Sequence, residues 1–161
     1  MRTRSVLIAA AFVIGCELVG LAGSAFTIPA IPTWYASLSK PSFTPPSWLF
    51  APVWTALYAL MGMAVYLVWS ERKRRKASRA ARAALCAFLV QLALNFLWSA
   101  AFFGARSPAY GMAVIVLLAI AIASCIALFW RVSKPAAYLM VPYLLWTVVA
   151  ASLNLAVLLM N

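Results

Sequence analysis

The chain has 161 residues, 67% of them hydrophobic and only 9% charged, with a mean hydropathy of +1.00. Soluble domains carry about 25% charged residues, so this composition excludes a soluble globular protein and specifies one that resides in a bilayer. The net charge of +11 invites a nucleic-acid reading, but it has to be tested against where the charges fall along the chain.

A membrane-spanning helix needs about 20 apolar residues. Runs of that kind lie at 5–26, 46–70, 80–103, 109–131 and 134–160. They predict an all-α membrane protein, a five-transmembrane-helix bundle that takes up residues 1–161 as a single domain. Strands are excluded, because the runs are too long and too evenly apolar and an open sheet edge finds no partner in lipid.

The first run opens with "MRTR" and reaches "VIGC", which looks like a lipoprotein signal with Cys16 as the acylated residue. Apolar sequence continues past Cys16 to Phe26, however, and that length predicts a retained helix. Glu17 falls in its middle, where an ionisable group costs about 3 kcal/mol, so it is expected to face the bundle interior. A neutral carboxyl hydrogen-bonded to another helix and a proton-coupling group are the two readings of it. Next comes "SLSKPSFTPPSWLF", in which Pro41, Pro45 and Pro46 fix φ and remove donors, so the connection should be extended and stiff, with Pro46 opening the second helix. It is expected to act as a lid to which Trp34, Tyr35, Phe43 and Trp48 bring apolar area; the plainer reading is a tight loop that packs helix ends together.

On the second helix Trp54 and Tyr58 lie one turn apart, and Trp69 ends it as an interfacial anchor. The basic run "SERKRRKASRAAR" follows, with Glu71 pairing among its neighbours. The third helix begins with overlapping small-xxx-small pairs, Ala80 with Ala84 and Ala83 with Ala87, which suit close helix contact in a homodimer or within the chain. Further along it Gln91, Asn95, Trp98 and Phe102 recur at helical spacing. The fourth ends at a second anchor, Trp130. On the fifth, Trp146, Ala150 and Asn154 form another stripe, and Pro142 is expected to kink the helix near the carbonyl of Tyr138. An Asn or Gln in hydrocarbon usually ties helices together. The tryptophans at 54, 98 and 146 sit too deep for anchoring, which leaves a shared cavity or plain core packing.

With five crossings, all of the 13 cations except Lys40 and Arg106 fall on one side. That asymmetry places the N-terminus and the basic run in the cytoplasm and the C-terminus outside. Topology and anionic lipid headgroups thus account for the charge, and no nucleic-acid partner is expected. The chain has no histidine and no aspartate, and its only carboxylates are Glu17 and Glu71. Ser/His/Asp catalysis, two-carboxylate hydrolysis and histidine-ligated metal or haem are therefore excluded. Cys16, Cys86 and Cys125 lie in different helices without ligand spacing and read as buried thiols, so no metal site is expected.

"WYASLSKPSFTPP" at 34–46, "PVWTALYALMG" at 52–62, "NFLWSAAFFGAR" at 95–106 and "PYLLWTVVAASLN" at 142–154 together resemble the TspO/MBR family, the tryptophan-rich sensory proteins related to the translocator or peripheral benzodiazepine receptor protein. The resemblance implies a five-helix bundle, commonly a homodimer, with a ligand cavity near one membrane face. Members bind porphyrins such as protoporphyrin IX, sterols and synthetic isoquinoline or benzodiazepine drugs, and some bacterial ones promote light-dependent porphyrin breakdown. Carried over by motif, the cavity is lined by Tyr35, Pro45, Trp54, Tyr58, Asn95, Trp98, Trp146 and Ala150. The chain ends "LNLAVLLMN" without the Tyr-then-basic sterol motif, so specific sterol recognition is not expected.

These features favour a ligand-binding sensor or regulator for porphyrin-like tetrapyrroles, with protoporphyrin IX as ligand and no obligatory cofactor. A light-dependent catalyst, with Trp54 and Trp146 as the candidate oxidisable residues, and a transporter of porphyrin or sterol-like ligands are the alternatives. The chain lacks the internal repeat expected of the last.

Overall fold

In hydrocarbon the backbone can bond only to itself, so each apolar run closes into a helix. The computed structural model describes residues 2–72 and 78–161, without the side chains of Arg2 and Ser78. The cations Lys73 to Lys76, expected on the basic side, lie outside the described residues. The elements are α1 (Arg2–Ala30), running on into one π-helical turn at Ile31–Tyr35; α2 (Ser47–Glu71); α3 (Ser78–Ser99), running on into a π-helical turn at Ala100–Gly104; α4 (Pro108–Trp130); and α5 (Lys134–Met160). Five helices are long and apolar enough to cross a membrane.

The first helix is longer than its apolar run, which was expected to end at Phe26. Pro29 and Pro32 do not stop it. The Thr33 hydroxyl donates to the Pro29 carbonyl at 2.8 Å, and the wider π turn takes in Pro32. The hydroxyl gives the Pro29 carbonyl a side-chain partner and the wider turn accommodates Pro32 within a continuous helix, so the backbone stays helical at membrane depth. α5 likewise passes through Pro142 as one helix. α4 begins with Ser107 as its cap, the hydroxyl accepting from the Tyr110 N–H at 3.3 Å, and with Pro108 at the first helical position.

Around the bundle the helices run in the order α1, α2, α5, α4, α3, with α3 returning to α1. α1 and α2 approach most closely where Gly62 faces the backbone of Val13; a Cβ on Gly62 would overlap the Val13 Cα. Ala81, Ala84, Ile122, Phe129, Ala136 and Met140 are completely buried in one apolar core at the basic end. Cys16 and Cys125 are buried, whereas Cys86, expected to be so, is exposed on the outer face of α3.

Burial also divides the small-residue pairs at the start of α3. Ala84 is spent inside this bundle at 0% exposure, so the 80/84 pair packs within the chain, while Ala83 is exposed. At the same end the Arg72 guanidinium lies 3.2 Å from the centre of the Trp69 ring and Lys134 Nζ lies 5.4 Å from that of Trp130, as suits interfacial aromatics among cations.

Candidate functional site

Midway along the bundle three helices meet through one amide. The Tyr58 hydroxyl on α2 donates to Asn95 Oδ1 on α3, and Asn95 Nδ2 donates to the Tyr143 hydroxyl on α5 at 2.9 Å. Asn95 is only 2% exposed, so both of its polar atoms have found partners where water cannot supply them. Room for the Tyr58 ring comes from Gly20 on α1, where any Cβ would overlap it. Trp54, one turn before Tyr58, has its ring 5.7 Å from that of Tyr58 and meets the Tyr143 ring edge-on at 6.2 Å. Gln91, one turn before Asn95, is completely buried. Its Oε1 has no hydrogen-bond partner among the described residues, and its amide nitrogen is 4.0 Å from the Met61 sulfur.

Beyond this centre, away from the basic end, the packing becomes aromatic. Trp98 stacks on Phe102 with ring centres 5.6 Å apart and meets Phe103 edge-on at 5.8 Å. The π-helical turn at Ala100–Gly104 sets Phe102 and Phe103 side by side at 4.8 Å. From the end of α1, Trp34 reaches Phe102 at 5.4 Å and Tyr35 reaches Phe103 at 5.8 Å. The Trp98 indole N–H donates to Asn154 Oδ1 at 3.4 Å, and Asn154 Nδ2 donates to the Pro108 carbonyl at 2.7 Å. Asn154 therefore fixes Trp98 and the start of α4 together. Gly111 makes room for this arrangement, since a Cβ there would sit 2.6 Å from the Phe102 ring and 2.7 Å from Asn154 Oδ1.

These residues enclose a cavity of about 30 Å³ whose wall comprises Tyr35, Phe50, Trp98, Phe102, Phe103, Ala150, Leu153, Asn154 and Val157. Trp146 stands behind Phe50, with ring centres 6.0 Å apart. Its indole N–H is buried and has no partner among the described residues. A buried donor without an acceptor is rare and costs about 1–3 kcal/mol, so this one is the feature of the site that most asks for a partner.

The residues singled out in the sequence divide between these two places. Tyr35, Trp98 and Ala150 are on the cavity wall. Trp54, Tyr58 and Asn95 form the hydrogen-bonded centre with Tyr143. Trp146 reaches the cavity through Phe50. Pro45 is half-buried in the connection before α2 and is not on the wall.

Of the aromatic residues expected to cover the cavity, Trp34 and Tyr35 pack on Phe102, but Phe43 and Trp48 are 59% and 72% exposed and do not cover it. Phe43 is in the connection and Trp48 in the first turn of α2. Glu17, expected to bond another helix, is half-buried and has no hydrogen bond among the described residues. Phe50, Tyr143, Leu153 and Val157 were not singled out. Phe50 had a signal, lying four residues before Trp54 on the stripe it shares with Tyr58, and Leu153 and Val157 extend the Trp146–Ala150 face.

Comparison with known proteins identifies the family. The family model described as TspO/MBR matches residues 12–160. The chain is 44% identical over 147 residues to the tryptophan-rich protein TspO of Archaeoglobus fulgidus, covering 89% of this chain and 90% of that one. It is 40% identical over 124 residues to the translocator protein of Homo sapiens, covering 77% and 72%, and 34% identical over 128 residues to the tryptophan-rich sensory protein of Cereibacter sphaeroides, covering 80% and 77%. Five apolar helices, three of them joined through Asn95, and a match over nearly the whole length make this chain a multi-pass integral membrane protein of the TspO/MBR family.

Proposed function

We propose that the protein binds a porphyrin-like tetrapyrrole, protoporphyrin IX being the one to test, between the aromatic wall and Trp146, and that it acts as a sensor or regulator of such ligands. The observation that carries the reading is the buried indole N–H of Trp146, left without an acceptor beside a cavity walled by aromatic rings. A flat conjugated ligand stacks on indole and phenol faces, and a ring or carboxylate acceptor on it would satisfy that donor. Pockets for ligands of this size run to about 300–1,000 Å³, against about 30 Å³ here, so binding has to move the wall. The side best able to move is the last turn of α1, where Tyr35 leads directly into the connection before α2.

The charge asymmetry supports an orientation with the basic end cytoplasmic and this site toward the opposite face. The exposed Ala83 and half-buried Ala87 supply a small-residue face suited to a homodimer. A second reading, light-dependent breakdown of the porphyrin, is favoured by Trp54 lying against both Tyr58 and Tyr143, which makes a contiguous set of oxidisable rings. No general acid or base is needed for it, because the excited porphyrin and oxygen would carry the chemistry.

Titration with protoporphyrin IX, followed by tryptophan quenching in the dark and by porphyrin absorbance under illumination, tests both readings. Trp146→Phe should weaken binding by about 1 kcal/mol, roughly fivefold, through lost ring area and the lost N–H, and Trp54→Phe, whose ring lies in the hydrogen-bonded centre rather than on the wall, by less than about threefold. On the photochemical reading the same changes leave affinity nearly intact and abolish light-dependent loss of porphyrin. If both variants match the wild type in affinity and in illuminated decay, these tryptophans are core packing and the tetrapyrrole site is wrong.

A further inference from the structure

The connection from Ala36 to Pro46 is folded upon itself and, apart from its bonds to the flanking ends of α1 and α2, is tied to the bundle at one place. Lys40 Nζ donates to the carbonyls of Leu38 at 2.8 Å and Ala36 at 3.3 Å within it and to that of Tyr35 at 2.7 Å at the end of the preceding turn, gathering the orphan acceptors that the end of a helix leaves. The same ammonium lies 5.0 Å from the centre of the Tyr35 ring. Thr44 closes a turn, its N–H and hydroxyl both reaching the Pro41 carbonyl at 3.0 and 2.7 Å. The Ser37 hydroxyl donates to the Trp34 carbonyl at 2.8 Å and the Leu49 N–H to the Pro46 carbonyl at 3.0 Å, joining the segment to its two flanking helices, whereas between it and the rest of the bundle the only hydrogen bonds among the described residues come from Asn161. Its Oδ1 accepts from the Ser39 N–H at 2.9 Å, and its Nδ2 donates to the Ser39 carbonyl at 3.1 Å. The second hydrogen of Nδ2 is directed back to the Val157 carbonyl at 2.8 Å, which holds the amide in place. Val157 is itself on the cavity wall, so this attachment sits one turn from the cavity.

We propose that the Asn161–Ser39 pair is the latch of a gate: while it is closed, the folded connection holds Tyr35 against Phe102 and Phe103 and seals the aromatic cavity, and its release admits the ligand. The proposal rests on the reading of the cavity as a ligand site. Its physical basis is the contrast between a segment held together by several bonds of its own and an attachment of two bonds to an exposed side chain. A pre-folded piece can swing without unfolding, so the barrier to opening is concentrated at the attachment. Hydrogen bonds in exposed positions are individually weak, and losing two of them shifts such an equilibrium by about tenfold. A latch of that strength stays closed without ligand and yields when one arrives.

The experiment compares the wild-type chain with Asn161→Ala by two readouts. Hydrogen exchange at the Ser39 amide reports the latch without any ligand, and the rate of tryptophan quenching on mixing with protoporphyrin IX reports admission. The expected result is Ser39 exchange about tenfold faster in Asn161→Ala, with exchange of the α4 amides unchanged, and quenching accelerated by a similar factor. Unchanged Ser39 exchange overturns the latch. Faster exchange with an unaltered quenching rate overturns it as a gate. If the wild type shows no quenching at all, the ligand reading fails and takes the gate with it, a result distinct from wild-type quenching that Asn161→Ala leaves unaltered. Should exchange in α4 rise along with that of Ser39, the residue holds the bundle rather than the gate and the proposal fails.

Discussion

At the basic end, α2, α3, α4 and α5 meet through small side chains and interlocked rings: Ala81, Ala84 and Ala136 are at 0% exposure, and Phe88 and Phe129 stack at 6.1 Å with their planes 20° apart. At the other end the rings of Trp98, Tyr35 and Phe103 are only half-buried, they surround a cavity, and both π-helical turns occur there, at Ile31–Tyr35 and Ala100–Gly104. In lipid, apolar area alone does not draw helices together, because acyl chains are as apolar as leucine; close packing and a few hydrogen bonds do so. The basic end meets that rule in its packing, with Gln91 Oε1 between it and the centre left without a partner among the described residues. The aromatic end leaves it partly unmet, with one indole N–H lacking an acceptor among the described residues and helices that widen just before they stop. The contrast teaches that one end holds the bundle together while the other is free to rearrange.

Four substitutions probe this division, beginning with the largest effect. Phe129→Ala removes a completely buried ring from the basic end. The lost packing should lower stability by about 3 kcal/mol, the lower end of the range for such truncations, since in lipid the transfer part is small. Thermal unfolding in detergent measures it, and porphyrin affinity per folded molecule should not change. An equal loss of affinity would merge the two ends into one unit.

Gly62→Ala forces a methyl into the Val13 backbone at the crossing of α1 and α2, where no side chain can yield. A loss of about 2 kcal/mol is expected from overpacking. A wild-type melting temperature in this variant would show that the crossing is looser than its geometry.

Asn95→Leu removes the bonds to Tyr58 and Tyr143 together. At about 0.6 kcal/mol per interhelical bond the loss should be near 1 kcal/mol, with porphyrin affinity changing less than about threefold because the cavity wall lies elsewhere. A tenfold drop in affinity with unaltered stability would move the hydrogen-bonded centre from support of the site into the site. The smallest effect is expected for Trp130→Phe, at a ring 45% exposed beside Lys134 and Tyr138. It should alter stability by less than about 0.5 kcal/mol and binding not at all, and a larger effect in either assay would mean that the basic end participates in ligand capture.

Hydropathy by itself determined that the chain spans a membrane with five helices and where most of them begin and end, because a bilayer leaves an apolar run of about 20 residues only one way to satisfy its backbone. Helical spacing also brought Trp54 with Tyr58, and Asn95 with Trp98, onto common faces, since that relation is local to one helix. The tertiary structure alone decided the rest. That Asn95 bridges Tyr58 and Tyr143, that Trp146 finds Phe50 but no acceptor, and that Asn161 holds Ser39 are relations between distant parts of the chain. They are set by how the helices cross, and a single sequence carries no periodicity that encodes them. The end of α1 was misjudged for the same reason: prolines read as breaks in isolation, whereas inside the bundle the Thr33 hydroxyl and a π turn absorb them.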